Sequence, residues 1–533
     1  MGPGVAFLDY DNDGYLDIYF VNGAELPGVT YDVGEVAETS PTNVLYRNAG
    51  DGTFSDVTQQ AGVGDTGYGV GCCVGDYDND GHDDFYVTNF GANVLYHNNG
   101  DGTFTDVTDK AGVGGGDKWS AGCAFLDYDN DGDLDLYVVN FVYFDFEVEK
   151  DRKYLIKGFM VYAAPENFSG LSDTLYRNNG DGTFTDVTQQ IGIFNSDGKG
   201  LGMVCGDYDN DGGVDIFVAN DATPNFLYRN DSVKSNKDVR FADCFVPRNR
   251  QRLTVTFTEV ALFAGVALSE DGVAENGMGV NMGDYDNDGF LDIVVNNFQG
   301  QTSSIYHNEG NGFFMEVSYA CGVGEKTLNY LSWGTAFFDY DNDGYQDLFI
   351  ANGHVHDNIE LFDDSTTAAQ QNLLLENNGD GTFTNVSETS GPGLQIKQVS
   401  RGAAFGDYDN DGDIDILVVN SNQPPSLLKN EGGNQRNWLM LKTIGTTSNR
   451  DGIGARITVK SGQRSQIREV KSGGSYLSQS DTRVHFGLDT ATKADIVEIR
   501  WPSGLVETFK DVPSNQFLVV TEGKGLKRMK NEE

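Results

Sequence analysis

Seven times along this chain, four aspartates crowd into nine residues. The loops read Asp-Tyr-Asp-Asn-Asp-Gly-x-x-Asp, and their acids are Asp9, Asp11, Asp13 and Asp17; Asp76, Asp78, Asp80 and Asp84; Asp127, Asp129, Asp131 and Asp135; Asp207, Asp209, Asp211 and Asp215; Asp284, Asp286, Asp288 and Asp292; Asp339, Asp341, Asp343 and Asp347; Asp407, Asp409, Asp411 and Asp415. Carboxylates at loop positions 1, 3 and 5 put three hard oxygens on one tight turn. Gly at position 6 permits the bend, the carbonyl at 7 can add a ligand, and Asp at 9 closes the cage. An oxygen-only set with several carboxylates is what Ca2+ prefers, whereas Mg2+ keeps more water. Asp- and Asn-rich turns also form without metal, but four unneutralised carboxylates at this spacing repel one another. The expectation is therefore bound Ca2+, up to seven ions.

An EF-hand begins the same way but needs Glu at position 12 and a helix on each side. Here position 12 is Phe20, Val87, Val138, Val218, Val295, Ile350 or Val418, so that reading fails. Each loop leads into a short β-branched and aromatic run stopped by Asn, such as Ile18-Tyr19-Phe20-Val21 or Ile416 to Val419. Such runs read as strands buried on both faces. The loop therefore joins two strands, the first opening at a Gly five residues ahead: Gly4, Gly71, Gly122, Gly202, Gly279, Gly334 and Gly402.

A second block succeeds each loop, in the first unit Leu45-Tyr46-Arg47-Asn48, Gly50-Asp51-Gly52-Thr53-Phe54 and Asp56-Val57-Thr58. Gly-Asp-Gly between strand-like runs signals a hairpin. Each unit thus supplies four strands, and seven units predict an all-β chain: a seven-bladed β-propeller over residues 1–436, followed by a small β-sandwich-like domain. Neither end of the array carries the whole pattern. After Leu427-Leu428-Lys429-Asn430 the hairpin's return arm is absent, and the expectation is a fragment whose missing arm stood before Met1. The first loop, near that fraying start, should then tolerate substitution better than loops between complete blades.

Three units carry inserts, at 23–42, 141–172 and 353–371, where the second strand ends. Strand order puts them on the face opposite the acidic loops. The second is aromatic, with Phe141, Tyr143, Phe144, Phe146, Tyr154, Phe159 and Tyr162; it reads equally as a recognition surface or as packing for its own loop. Residues 231–256 are basic, replace the hairpin turn of unit four, and read as an extrusion rather than a site.

The net charge of -45 is uneven. Residues 437–533 carry 15 Lys+Arg against 11 Asp+Glu, a balance of +4, which leaves -49 for residues 1–436. A surface this acidic excludes nucleic acid and anionic membranes as partners, and no apolar run approaches the ~20 residues of a membrane span. Cys72, Cys73, Cys123, Cys205 and Cys321 read as buried small residues rather than a disulfide framework; Cys244 has no assignment.

From Asn437 the pattern alternates, as in Trp438 to Lys442, Ala455 to Val459 and Ile496 to Trp501, a β domain over 437–523 with a polar, disordered tail at 524–533. The repeats resemble the FG-GAP/VCBS repeats of integrin α-chain propellers. Ser448 to Ala455, Ser472 to Gln479 and Arg500-Trp501-Pro502-Ser503-Gly504 look like an ASPIC/UnbV domain. The order matches cartilage acidic protein-like proteins. The resemblance implies a secreted, calcium-loaded propeller with an adhesion or matrix role and no established enzymatic activity; the chain is expected to be a monomer. Its expected ligand is a protein or glycan on the face opposite the calcium loops. Against this stand a propeller-scaffolded enzyme acting on polysaccharide and a structural spacer in a larger assembly. Almost every repeated acid is already committed to a loop, His354-Val355-His356 lacks a third ligand for a transition metal, and no nucleophile triad appears. His97 and His307, in a slot filled elsewhere by Arg47, Arg177 and Arg229, read as surface positions.

Overall fold

The computed structural model describes residues 2–24, 41–149, 152–231 and 255–529. Most of the basic segment 231–256 and of the insert 23–42 lies outside the described residues, as does Cys244. Each acidic unit forms an antiparallel sheet in chain order, the first from Val5–Leu8, Asp17–Phe20, Val44–Asn48 and Phe54–Asp56. Seven such sheets follow one another, six of four strands and a last of three: Ser400–Gly406, Asp415–Asn420 and Gln423–Leu428. The innermost strand of each sheet lies against that of the next, and Ser400–Gly406 lies back against Val5–Leu8. The ring is closed, and the fold is a propeller.

The repeated Gly opens the inner strand because neighbouring backbones nearly touch there. A methyl carbon on Gly279 would stand 1.9 Å from the Trp333 carbonyl oxygen, and one on Gly4 1.7 Å from that of Leu477. Asparagines at two repeated positions stitch the ring. Loop Asn12 takes a left-handed φ of 57° and donates to the Gly81 carbonyl of the next sheet (3.0 Å); Asn410 reaches Gly14 in the same way, from last sheet to first. Asn tolerates that conformation better than most residues. In the other direction Asn98 donates to the Tyr10 carbonyl, and Asn48 to that of Tyr408. The first loop is therefore held from both sides, contrary to the expectation of a fraying start.

Residues from Asn437 build two four-stranded sheets. One contains Val484–Asp489, Asn437–Ile444, Gln516–Thr521 and Gly525–Arg528; the other contains Arg464–Glu469, Arg456–Ser461, Lys493–Arg500 and Val506–Pro513. Their facing apolar residues, among them Leu439, Leu441, Ile457, Val497 and Phe486, share one core. The expected disordered tail at 524–533 is corrected in its first part. Gly523 turns the chain with φ 68°, and Gly525–Arg528 pairs back on Leu518 to Thr521. Among the described residues no helix is long and apolar enough to cross a membrane.

Candidate metal centres

Each acidic loop is built the same way from the backbone outward. The position-1 carboxylate accepts the N–H of the position-6 glycine: Gly14 to Asp9, Gly81 to Asp76 at 2.6 Å, Gly212 to Asp207 at 2.9 Å, Gly412 to Asp407 at 2.8 Å. The position-9 aspartate is buried at the base and ties loop to hairpin. Asp17 takes the N–H groups of Tyr10 (3.2 Å) and Asn48 (2.8 Å), and Asp84, Asp135, Asp215, Asp292, Asp347 and Asp415 repeat the pair. Tight loop geometry thus brings the expected acids together. Oxygens of Asp9, Asp11 and Asp13, of Asp76, Asp78 and Asp84, and of Asp127, Asp129 and Asp135 lie within 4.8 Å of one another.

The electrostatics fit a cation. Buried carboxylate oxygens of Asp11 (Oδ1), Asp211 (Oδ2) and Asp409 (Oδ1) receive no hydrogen bond from the protein, and a carboxylate needs donors or a metal when buried. Burial pushes Asp17 up to about 8, with Asp11 and Asp9 adding to it; Asp339 reaches about 8 by burial and then Asp343. A divalent ion would hold these groups ionised.

The residue opposite the loop differs from unit to unit, and sequence reasoning misplaced it. His97 and His307 are not simply at the surface: Nδ1 of His97 lies 3.2 Å from Asp84 Oδ1, and Nδ1 of His307 lies 3.0 Å from Asp292 Oδ1. Arg47 sits on Asp11 (2.6 Å) and Asp13 (3.0 Å), Lys429 on Asp409 (2.6 Å). Glu376 takes the same slot in the sixth unit and accepts the Tyr340 hydroxyl. The signal was present in the third-strand tetrapeptide, but its direction was not.

The basic C-terminal domain covers this acidic face. Arg500 donates to the Asp207 carboxylate, Arg456 to the Asp207 carbonyl (2.6 Å), and Arg483 to the Asp407 carbonyl (2.8 Å) and Asn410. Buried Arg468 is faced by Asp339 and Asp284. From this cap, residues 472–481 run into the propeller axis. Ser472 Oγ receives the Phe125 N–H, the Ser475 carbonyl receives that of Val280, and Ser475 Oγ that of Thr335. The Leu477 carbonyl receives Cys72, Ser478 Oγ receives Val5, and Ser480 Oγ receives Phe405. An inner strand is an edge with unpaired N–H groups, and this plug satisfies it in six sheets. Tyr476 at its tip is fully buried, its ring 4.9 Å from that of Trp333.

On the other face the inserts meet. The ribbon Tyr154–Ile156 and Phe159–Val161 lies on the insert of the sixth unit: Phe159 stacks on Phe362, Tyr162 on His356, and Asn358 donates to the Met160 carbonyl (2.8 Å). The two readings of the aromatics divide. Phe141 and Phe144 pack inward around Trp119, while Tyr143, Leu155, Met160 and Tyr162 are 58% to 63% exposed.

The FG-GAP-like repeat profile matches residues 9–87, 76–138, 161–218, 284–350 and 362–452, and the ASPIC and UnbV profile matches residues 445–527. The chain is similar to cartilage acidic protein 1 of Homo sapiens, 26% identical over 343 residues, 63% of this chain and 46% of that protein. The Xenopus tropicalis protein of the same name is 27% identical over 334 residues, 61% and 45%. The chain spans about half the length of the curated relatives it matches. A solved structure titled for recognition of non-reducing terminal N-acetylglucosamine by an Agrocybe aegerita lectin overlaps 81% of this chain and 96% of its own, at TM-score 0.39 and 16% identity. A likeness that distant assigns no ligand.

Proposed function

The chain belongs to the FG-GAP-like repeat family with a C-terminal ASPIC and UnbV domain, and from that premise we propose that it is a secreted, calcium-loaded recognition module without catalytic activity. The carrying observation is the division of labour between its faces. The acidic face is covered by the protein's own cap, whereas the insert face presents Tyr143 to solvent and, along a supported ribbon, Leu155, Met160 and Tyr162. Exposed clustered aromatics rimmed by polar groups are the composition of a recognition surface.

Ca2+ would be held by Asp9, Asp11, Asp13 and Asp17 and by their six counterparts, neutralising the loops and stiffening the face on which the cap rests. The loop acids then have a structural duty, which leaves few free for polysaccharide cleavage. The ligand, a protein or glycan, docks on the inserts at 141–172 and 353–371. The test is replacement of 141–172 by a short linker, followed by a glycan array and a pull-down. Calcium binding should survive and partner capture should fall; capture equal to the parent's would move the ligand site elsewhere.

A further inference from the structure

Two of the buried cysteines face each other across the joint between the second and third sheets. The inner strands there are Tyr68–Val74 and Ser120–Leu126. Side chains alternate along a strand, so Gly71, Cys73 and Gly75 turn one way and Cys72 the other. The packing follows that alternation. Cys72 lies with Ala6 and Leu8 of the first sheet, whereas Cys73 lies with Cys123 and Phe125 of the third.

The glycines on either side of Cys73 measure the gap. A methyl carbon on Gly71 would stand 2.9 Å from the Ala121 carbonyl oxygen, and one on Gly75 3.2 Å from Phe125 Cβ. Cys73 is midway between the two glycines, and Cys123 midway between Ala121 and Phe125. That register brings the two β-carbons to the approach a disulfide needs, about 3.5–4.5 Å. Both side chains are buried and both thiols are free. Ser472 of the axial plug spans the same joint, donating to the Val74 carbonyl (2.6 Å) and accepting the Phe125 N–H (3.2 Å). At the joints on either side the same two positions hold Ala6 with Cys72, and Ala124 with Met203.

We propose that Cys73 and Cys123 are a disulfide site, a covalent staple joining the second sheet to the third beside the axial plug. It rests on the secreted reading above, because disulfides persist in oxidising compartments. The oxidant is a small disulfide of the glutathione class. One cysteine thiolate attacks it, forming a mixed disulfide and releasing one thiolate. The second cysteine thiolate then displaces the other half, and the Cys73–Cys123 bond closes. The cysteines give up two protons and two electrons, and the oxidant leaves as two thiols. Burial, and then the Cys123 thiol, push Cys73 well above the ordinary thiol range, so thiolate is scarce in the folded ring. Exchange therefore runs during folding, while the joint is open, and the closed ring shields the bond from reductant. Cys205 and Cys321 pack in other cores and take no part.

The test is refolding of the reduced, denatured full chain in Ca2+ with reduced and oxidised glutathione. The product is then denatured in N-ethylmaleimide and mapped by non-reducing proteolysis and mass spectrometry. Alkylatable thiols should fall from six to four, and one cross-linked peptide pair should join the Cys72-Cys73 segment to that of Cys123. The link should persist in Cys72→Ala and vanish in Cys73→Ala and Cys123→Ala. Its persistence in Cys72→Ala keeps the test decisive even if the other two variants fold poorly. Six alkylated cysteines in the refolded chain, a link that survives Cys73→Ala, or one that is lost in Cys72→Ala overturns the proposal. The buffer supplies the oxidant, so this result is independent of compartment. A protein found only inside the cell would overturn the secreted reading and leave the cross-link standing.

Discussion

The two faces of this propeller have opposite characters in the sequence. The acidic face repeats one nine-residue loop seven times, and the molecule covers it: a domain with a +4 balance rests on a ring carrying -49. The insert face repeats nothing and stays open, with Met160 61% exposed and Tyr143 63% exposed. Repetition here serves assembly. Identical loops can be stitched by identical asparagines and stiffened by one kind of ion, whereas recognition needs a surface unlike its neighbours.

The sharpest way to break that contrast is to remove the metal. Each site held at 100 times its Kd contributes about 2.7 kcal/mol, so excess chelator should lower Tm by about 10 °C or more. An unchanged calorimetric Tm would falsify metal dependence of the acidic face.

Next in size is the plug that joins cap to axis. Tyr476→Ala should cost about 3–5 kcal/mol in chemical denaturation, because a fully buried aromatic leaves a cavity. Tyr476→Phe should cost about 0.5 kcal/mol or less, since the hydroxyl has no hydrogen-bond partner and an unsatisfied buried group contributes nothing favourable. Equal losses for the two would mean that the hydroxyl matters and the packing argument fails.

The pH dependence of the chelated chain is smaller but has a definite sign. Without metal, Asp17 and Asp76 sit at about 8 by burial, against 3.8 ordinarily. The folded state then binds more protons than the unfolded state between those values, so stability falls as pH rises from about 4 to about 8. Ca2+ requires ionised carboxylates and opposes the trend. Thermal scans in chelator that gain stability across this window would contradict the assignment.

On the open face, the linker replacing 141–172 should weaken partner binding about tenfold or more while leaving the chelator effect intact, because hot spots cluster in aromatic anchors. Loss of the chelator effect in that variant would show that the faces are not separable.

The smallest effect is within the acidic face. Arg47→Met removes a cation from Asp11 and Asp13 and should tighten Ca2+ at the first loop by a few-fold, about 0.5–1 kcal/mol. Glu376→Gln should loosen the sixth loop by a similar factor. Titration calorimetry that finds both variants unchanged would make the loops equivalent. The first and seventh loops, whose acids already carry the Arg47 and Lys429 cations, are thus the weaker candidates, and fraying of the first blade is not the reason.

The range of each interaction decides how much of this was legible. Strands, loops and the four-strand unit could be read from the residues alone, because the turn glycines, the Asp spacing and the apolar runs act within about ten residues of one another. The inserts could be placed opposite the loops as well, since antiparallel order alternates faces. What lies across each loop emerged only from long-range packing: the direction in which His97 and Arg47 point, the Asn48-to-Tyr408 bond that closes the ring, and the cap on the acidic face. Gln479 bonds Val74 across 405 residues, and no local pattern marks Ser472 to Asp481 as an axial plug. Rotational repetition explains the limit. Seven equivalent loops carry the same local code, so their sequence is silent on which neighbour covers them, and contacts between distant segments alone break the symmetry.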